Sequence, residues 1–240
     1  MANSAKLAKV AFERKPKGQD KKYYKLDSQI VAQIASETRN DAAEAAFSAA
    51  VSYCEAINGL KNGSASWAIV KLYYSSFYCL RSILYANNLI PFEAGKFLIF
   101  NCQENTFING GASSHKWDWK SIRSVDRLSY WIFSEDSATA YTSLCNNRDD
   151  ANYKKLFTDP DLPDCLTTSE SDISKRIKAY RDDHAFFYTY LDEHLTLAYP
   201  TKLIYSLDSL LSSLIPALSA ERKAHLKKRW LLKERCPFGD

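Results

Sequence analysis

The sequence predicts a mainly α-helical fold, and three observations carry that expectation. Only seven glycines and seven prolines occur in 240 residues, so residues that punctuate turns and sheets are scarce. Apolar residues recur at steps of three and four over long runs, the spacing that gathers side chains on one face of a helix. Ser64 to Asn88 runs for twenty-five residues without Gly or Pro, and only Lys71 and Arg81 in it are charged. A stretch this apolar needs neighbours around most of its circumference, which makes it the central helix of the fold.

The elements follow in order. Residues 1–25 are basic and weakly periodic, and Pro16 and Gly18 interrupt them, so they read as an N-terminal arm. Asp27 or Ser28 can cap the next helix, because a short side-chain oxygen satisfies amide donors left free at a helix start. That helix spans about Ser28–Asn58 and contains the small residues Ala42, Ala45, Ala46, Ala49 and Ala56, which let another helix approach closely. Asn58, Gly59, Asn62 and Gly63 make a short link into the central helix, so the two should run antiparallel. After Pro91, Phe97–Phe100 face Thr106–Ile108 across Gln103, Glu104 and Asn105, the pattern of a small β-hairpin. The run 116–133 reads as a helix, and the polar stretch 134–171 as short helices and loops.

A further periodic run begins at Asp172. Ile173, Ile177, Tyr180, His184, Phe187 and Leu191 share one face, and the helix is expected to end at Pro200. Leu203, Ile204, Leu207, Leu210, Leu211, Leu214, Ile215 and Leu218 form the clearest amphipathic pattern, with Pro216 in its last turn. Ser219 can cap a final basic helix that offers Leu226, Trp230 and Leu231 for docking. The expected organisation is an arm over 1–25, a single helical domain over 26–218 and a basic C-terminal helix over 219–240.

Composition narrows function. The formal net charge is +4, with basic residues concentrated between Lys6 and Lys25 and between Arg222 and Arg235. Basic ends of this kind either attract phosphates or keep the termini solvated. The six cysteines, at 54, 79, 102, 145, 165 and 236, show no CxxC spacing, and Cys54 and Cys79 read as buried reduced thiols. No metal site or cofactor is expected. The N-terminal residues lack the apolar block of a secretory signal, and no run is long enough to span a bilayer, so a cytoplasmic protein without a membrane partner is expected. Glycine-rich phosphate loops, HExxH and GxSxG are missing from the sequence, which disfavours NTP hydrolysis, dinucleotide binding, zincin and serine hydrolase chemistry.

Two groups of residues stand out. Lys71, Tyr74, Tyr78, Arg81 and Tyr85 recur at steps of three and four on a second face of the central helix. They either line a groove or interface, or pack with rings inside and hydroxyls at the rim. In the run Tyr180, Arg181, Asp182, Asp183, His184, a helix would bring Arg181 and His184 to one small volume. A guanidinium can stabilise charge growing on a phosphate while an imidazole moves a proton near neutral pH. Arg176, eight residues before His184, returns near the same face. The plainer reading pairs Arg181 with a carboxylate and makes His184 a satisfied core histidine. A metal hydrolase using Asp149, Asp150, Asp182 and Asp183 is a remote alternative.

The helix pair over residues 42–88, with Tyr74, Phe77, Leu80, Arg81 and Leu84, resembles the first half of HEPN domains. YRDDHAF, at 180–186, looks like the late-helix region where that family keeps an arginine and a histidine. The resemblance covers about 40–90 and 170–215. It implies an antiparallel helical bundle, often dimeric, of a kind found as metal-independent ribonucleases in toxin, antiviral defence and stress systems, and also as non-catalytic binding modules. Under it His184 is the acid/base group, Arg181 the phosphate-stabilising cation, and Arg176 or Asp183 orients them. Lys227, Lys228, Arg229 and Trp230 would hold the backbone of RNA. The family's arginine-to-histidine spacing is wider than the two residues between Arg181 and His184 and narrower than the seven between Arg176 and His184. The alternative is therefore a scaffold subunit that forms a homodimer, or a hetero-complex with a partner enzyme.

Overall fold

In a computed structural model, the described residues are 2–125, 131–154, 166, 169–211 and 220–230. The fold is mainly helical with one small antiparallel sheet, as expected. Where one domain over 26–218 was expected, the chain divides into two compact units, Met1–Ala45 with Leu80–Glu135, and Ala46–Cys79 with Asp136–Asp240. Helices α2 (Ser28–Lys61) and α3 (Ala65–Ala86) contribute residues to both. Ser82 donates its hydroxyl to the Ala42 carbonyl, and Gly59 lies against Ala68 at the other end. A partner that moves backward along α3 as α2 advances means antiparallel helices. Ala42, Ala45, Ala46, Ala49 and Ala56 are all buried.

In the first unit, the residues expected to form an arm instead contain helix α1 (Asn3–Glu13), which buries Ser4, Ala5, Ala8 and Ala11. Its cap residue, Ala2, has no side-chain oxygen to offer. Asp41 of α2 takes that role, accepting hydrogen bonds from the backbone N–H groups of Asn3 and Ser4 and from the Ser4 hydroxyl. A carboxylate at a helix N-terminus satisfies free donors and faces the positive end of the macrodipole. The expected hairpin is present and forms the centre of a four-stranded meander, β1 (Leu89–Glu93), β2 (Phe97–Asn101), β3 (Thr106–Ser113) and β4 (Lys116–Trp117). Asn101 stands opposite Thr106 and Phe100 opposite Phe107. Phe12 of α1 packs on the sheet through Phe107, with ring centroids 4.9 Å apart, and Phe92, at 5.9 Å.

Gly111 adopts φ +124°, and a Cβ there would meet the Lys116 carbonyl oxygen at 2.1 Å, so only glycine fits where β3 meets β4. His115 lies in the turn between those strands, its N–H donating to the Ser113 hydroxyl. The helix expected over 116–133 is limited, among the described residues, to α4 (Trp119–Arg123), capped by the Asp118 carboxylate.

The second unit contains α5 (Glu135–Asp149) with a π-turn after it, α6 (Glu170–Arg181), α7 (Asp192–Leu211) and α8 (Ala220–Arg229). The single helix expected from Asp172 to Pro200 is broken: α6 stops at Arg181 and Pro200 lies inside α7. The break comes from Asp183, which draws the following backbone around its carboxylate. Pro200 is tolerated because α7 is packed on every side there, with Leu197, Ala198, Tyr199 and Thr201 fully buried. Leu203, Ile204 and Leu207 are buried as their period requires. The side chains of Leu210 and Leu211, and residues Leu214, Ile215, Pro216, Leu218, Ser219, Leu231, Cys165 and Cys236, lie outside the described residues. Cys54, Cys79, Cys102 and Cys145 are buried free thiols. Among the described residues no helix is long and apolar enough to cross a membrane.

Asp41→Ala removes three acceptor contacts from a buried helix start. It is expected to lower stability by about 2 kcal/mol, read by chemical denaturation, with faster amide exchange in α1.

Candidate functional site

The end of α6 and the loop after it gather most of the ionisable side chains singled out in the sequence. The Arg181 guanidinium donates to both carboxylate oxygens of Asp182, at 2.8 and 3.1 Å. Arg181 thereby pulls the Asp182 carboxyl below its ordinary range, and the charge of His184 adds to the effect. His184 lies beyond the helix end and is exposed, so the helical juxtaposition with Arg181 does not hold. The carboxylate of Asp182 is positioned to favour the protonated form of the neighbouring imidazole.

Asp183 has a different use from the orienting one expected. It is buried and accepts from the backbone N–H groups of Phe187, Tyr188 and Thr189 and from the Thr189 hydroxyl. An aspartate that offers the backbone such partners competes with continuation of a helix. The loop it organises holds Phe186 at φ +57°, a strained conformation for a non-glycine residue, and leaves Phe187 66% exposed. Arg176 stays half-buried on α6. Among the described residues no hydrogen bond or ion pair joins Arg176 to His184.

Two neighbours escaped sequence reasoning. Lys202 of α7 is buried, and its ammonium donates to the Arg181 carbonyl at 3.1 Å. There it meets the negative end of α6. Burial pulls its pKa down, Asp183 and Asp182 pull it up, and the net position is below the ordinary lysine range. The Tyr180 hydroxyl meets His194 Nδ1 at 2.9 Å, and the Tyr188 ring stands edge-on to the same imidazole. Along one continuous helix, Tyr180 and His194 would lie about 21 Å apart. The turn at Asp183 brings them together, and no periodicity announces it.

On α3, between Ala68 and Cys79, only Lys71, Tyr74 and Tyr78 escape burial. Trp67, one turn before Lys71, is 53% exposed, and the Lys71 ammonium lies 5.2 Å from its ring centroid. Tyr74 and Tyr78 stack on each other at 6.2 Å. The open stripe of the second unit is therefore Trp67, Lys71, Tyr74 and Tyr78. In the first unit, Arg81 is half-buried and donates to the Pro91 carbonyl, and Tyr85 is buried at 3% exposure, a correction to its expected place on an open face. Helical spacing puts Tyr85 on the stripe but cannot show that a neighbour covers it.

The C-terminal basic helix meets this stripe through one carboxylate. Glu55 accepts from the Lys71 ammonium at 2.6 Å and from the Arg229 guanidinium at 2.8 Å. Burial raises the Glu55 pKa, but the hydrogen bonds and charges of Lys71 and Arg229 outweigh it and hold the carboxyl below its ordinary range. Asn58 donates to the Arg229 carbonyl, and Trp230 stacks on Tyr53 at 5.9 Å. Leu226 is fully buried beneath α8. Of the four residues expected to hold a nucleic-acid backbone, Arg229 and Trp230 thus dock the helix, while Lys227 and Lys228 are exposed.

Asp149 binds Arg148, Asp182 binds Arg181 and Asp183 binds the loop backbone, so these acids are engaged separately. Among the described residues no group of three or more His, Cys, Asp or Glu side chains could hold a metal ion. Comparison with protein-family models, with curated proteins and with solved structures returned no match to this chain.

A carboxyl whose pKa is lower in the folded state contributes stability above its unfolded value and loses it as pH falls through the folded value. Docking of α8 through Glu55 should therefore be complete at neutral pH and weaken below the ordinary glutamate value of 4.5. Amide exchange at 226–230 is expected to quicken as pH falls through that range, after correction for intrinsic rates. Glu55→Gln should show the loosened state already at neutral pH.

Proposed function

We propose that this chain is the RNA-facing, HEPN-like component of a bacterial defence or toxin system and that it cleaves RNA without a metal ion. The observation that supports this reading best is the exposed His184 imidazole just beyond the end of α6, beside the Arg181–Asp182 pair. In this reading His184 takes the proton of a substrate 2′-hydroxyl. The 2′ oxygen then attacks the adjacent phosphorus, the P–O5′ bond breaks, and a 2′,3′-cyclic phosphate remains while water protonates the departing 5′ oxygen. Arg181 stabilises the phosphate by exchanging the Asp182 carboxylate for a phosphoryl oxygen, an exchange between two partners that suit a guanidinium fork equally. Lys202 adds positive charge behind the loop.

A second reading, a non-catalytic assembly subunit that binds itself or a partner enzyme, is favoured by a specific observation. The Arg181 fork is already filled by Asp182, as expected of a structural ion pair at a helix end.

Expression of the wild type beside His184→Ala and Arg181→Ala, scored by growth and by RNA integrity, separates the two. The catalytic reading expects cleavage to fall by about a hundredfold in His184→Ala. Equal RNA integrity in all three would leave the assembly reading standing.

A further inference from the structure

We propose that the open stripe of α3 and the last turn of α8 form one docking surface for single-stranded RNA, with the Trp67 indole as a base-stacking platform. This inference rests on the RNA-facing reading above and adds where the strand lies. The surface is continuous through measured contacts. The Trp67 ring lies 5.2 Å from the Lys71 ammonium, Lys71 lies 2.6 Å from Glu55, and Glu55 lies 2.8 Å from Arg229. Lys227 and Lys228 precede Arg229 and are exposed. On its other side the stripe continues into the stacked pair Tyr74 and Tyr78.

Charge selects the occupant. Lys71, Lys227, Lys228 and Arg229 stand against the single carboxylate of Glu55, which leaves the surface positive. Across α8 as a whole, Arg222, Lys223, Lys227, Lys228 and Arg229 face one acid, Glu221. Lysine-rich surface of this kind is poor material for a protein interface core, from which lysine is depleted. Flat aromatic faces interleaved with cations suit a single strand instead, because every base has a face to stack and every linkage a charge to neutralise.

Glu55 has a defined part in this arrangement. By holding Lys71 and Arg229 on either side of one carboxylate, it fixes the spacing between the stacking stripe and the basic turn. The strand would cross above it, with phosphates toward Lys227 and Lys228 and a base on Trp67. Duplex RNA keeps its bases stacked internally and cannot use the indole, so single strands are preferred.

Fluorescence anisotropy of a labelled oligouridine tests the proposal, with the full-length chain, its Trp67→Ala, Trp67→Phe and Lys227→Glu/Lys228→Glu variants, and single-stranded DNA and duplex RNA as further probes. Circular dichroism and gel filtration verify the fold and the oligomeric state of each variant. Trp67→Ala is expected to weaken binding about tenfold with an unchanged salt slope, and Trp67→Phe to recover most of the loss. The double lysine variant should weaken binding and make the salt slope shallower by about one unit. Wild-type binding with undiminished affinity in Trp67→Ala and in the double lysine variant would overturn this surface and leave the RNA-facing reading intact. Equal affinity for duplex and single-stranded RNA would overturn the stacking platform. No binding of any probe by the wild type would overturn both, and a change of oligomeric state in Trp67→Ala without RNA binding would assign the surface to a second copy.

Discussion

The second unit depends on finding partners for buried tyrosine hydroxyls. Tyr53 of α2 meets Thr201 of α7 at 2.7 Å, Tyr73 of α3 meets Tyr141 of α5 at 3.2 Å, and Tyr199 of α7 receives the Ser137 hydroxyl of α5 at 3.2 Å. Tyr180 of α6 meets His194 of α7. Because Thr201 already donates its own hydroxyl to the Leu197 carbonyl, the phenol of Tyr53 is the donor in their pair. Each bond joins two different helices, and each ring carries a large apolar area into the core with a polar tip that must be satisfied. Burial raises the pKa values of Tyr53, Tyr73, Tyr141 and Tyr199, so the phenols remain protonated donors across the working pH range. The same burial raises the Cys145 thiol to about 11, which keeps it an inert packing group. An apolar core of equal volume would let helices slide against one another; a hydroxyl with one partner fixes the register.

Carboxylates do the complementary work at helix ends. Asp41 caps α1 from another helix, Asp118 caps α4, Asp183 turns the chain after α6, and Glu55 anchors the last turn of α8. In each case a negative group meets backbone donors or cations that the helix alone leaves unsatisfied. This accounts for the mixed character of the Arg181–His184 region. One aspartate holds the arginine, the next shapes the loop, and the histidine is delivered to the surface with a carboxylate nearby. Chemistry there depends on whether a phosphate can replace Asp182 on the Arg181 fork.

Much of the helical framework was legible in the sequence because it follows from local rules. Ser64–Asn88 is helical and buried along most of its length since its composition permits little else, and Asp27 precedes α2 as a cap should. The hairpin was legible because apolar residues on both sides of a polar tetrapeptide can pair only one way. The departures arise where a distant partner overrides periodicity. Asp183 interrupts a run whose spacing is faultless for a helix, and core packing carries α7 through Pro200. Tyr85 falls on the open stripe by spacing and is buried by its tertiary neighbours. Alanine spacing in α1 was present at positions 5, 8 and 11, but its cap lies on α2, too far along the chain for a local rule to find. The pairing of Tyr180 with His194, and of Glu55 with both Lys71 and Arg229, likewise requires the folded chain.

These features place the exposed imidazole of His184 and the aromatic–basic surface around Trp67 in the same compact unit, one suited to moving a proton and the other to holding a strand. The central claim is that the chain faces RNA through these residues. Ultraviolet crosslinking of a short single-stranded RNA to the wild-type protein, followed by mass spectrometry of the crosslinked peptides, tests it most directly. Crosslinks at Trp67, Tyr74 or Tyr78, together with RNA contacts in the 181–191 loop, are the predicted result; crosslinks confined to other surfaces, or none at all, would contradict it.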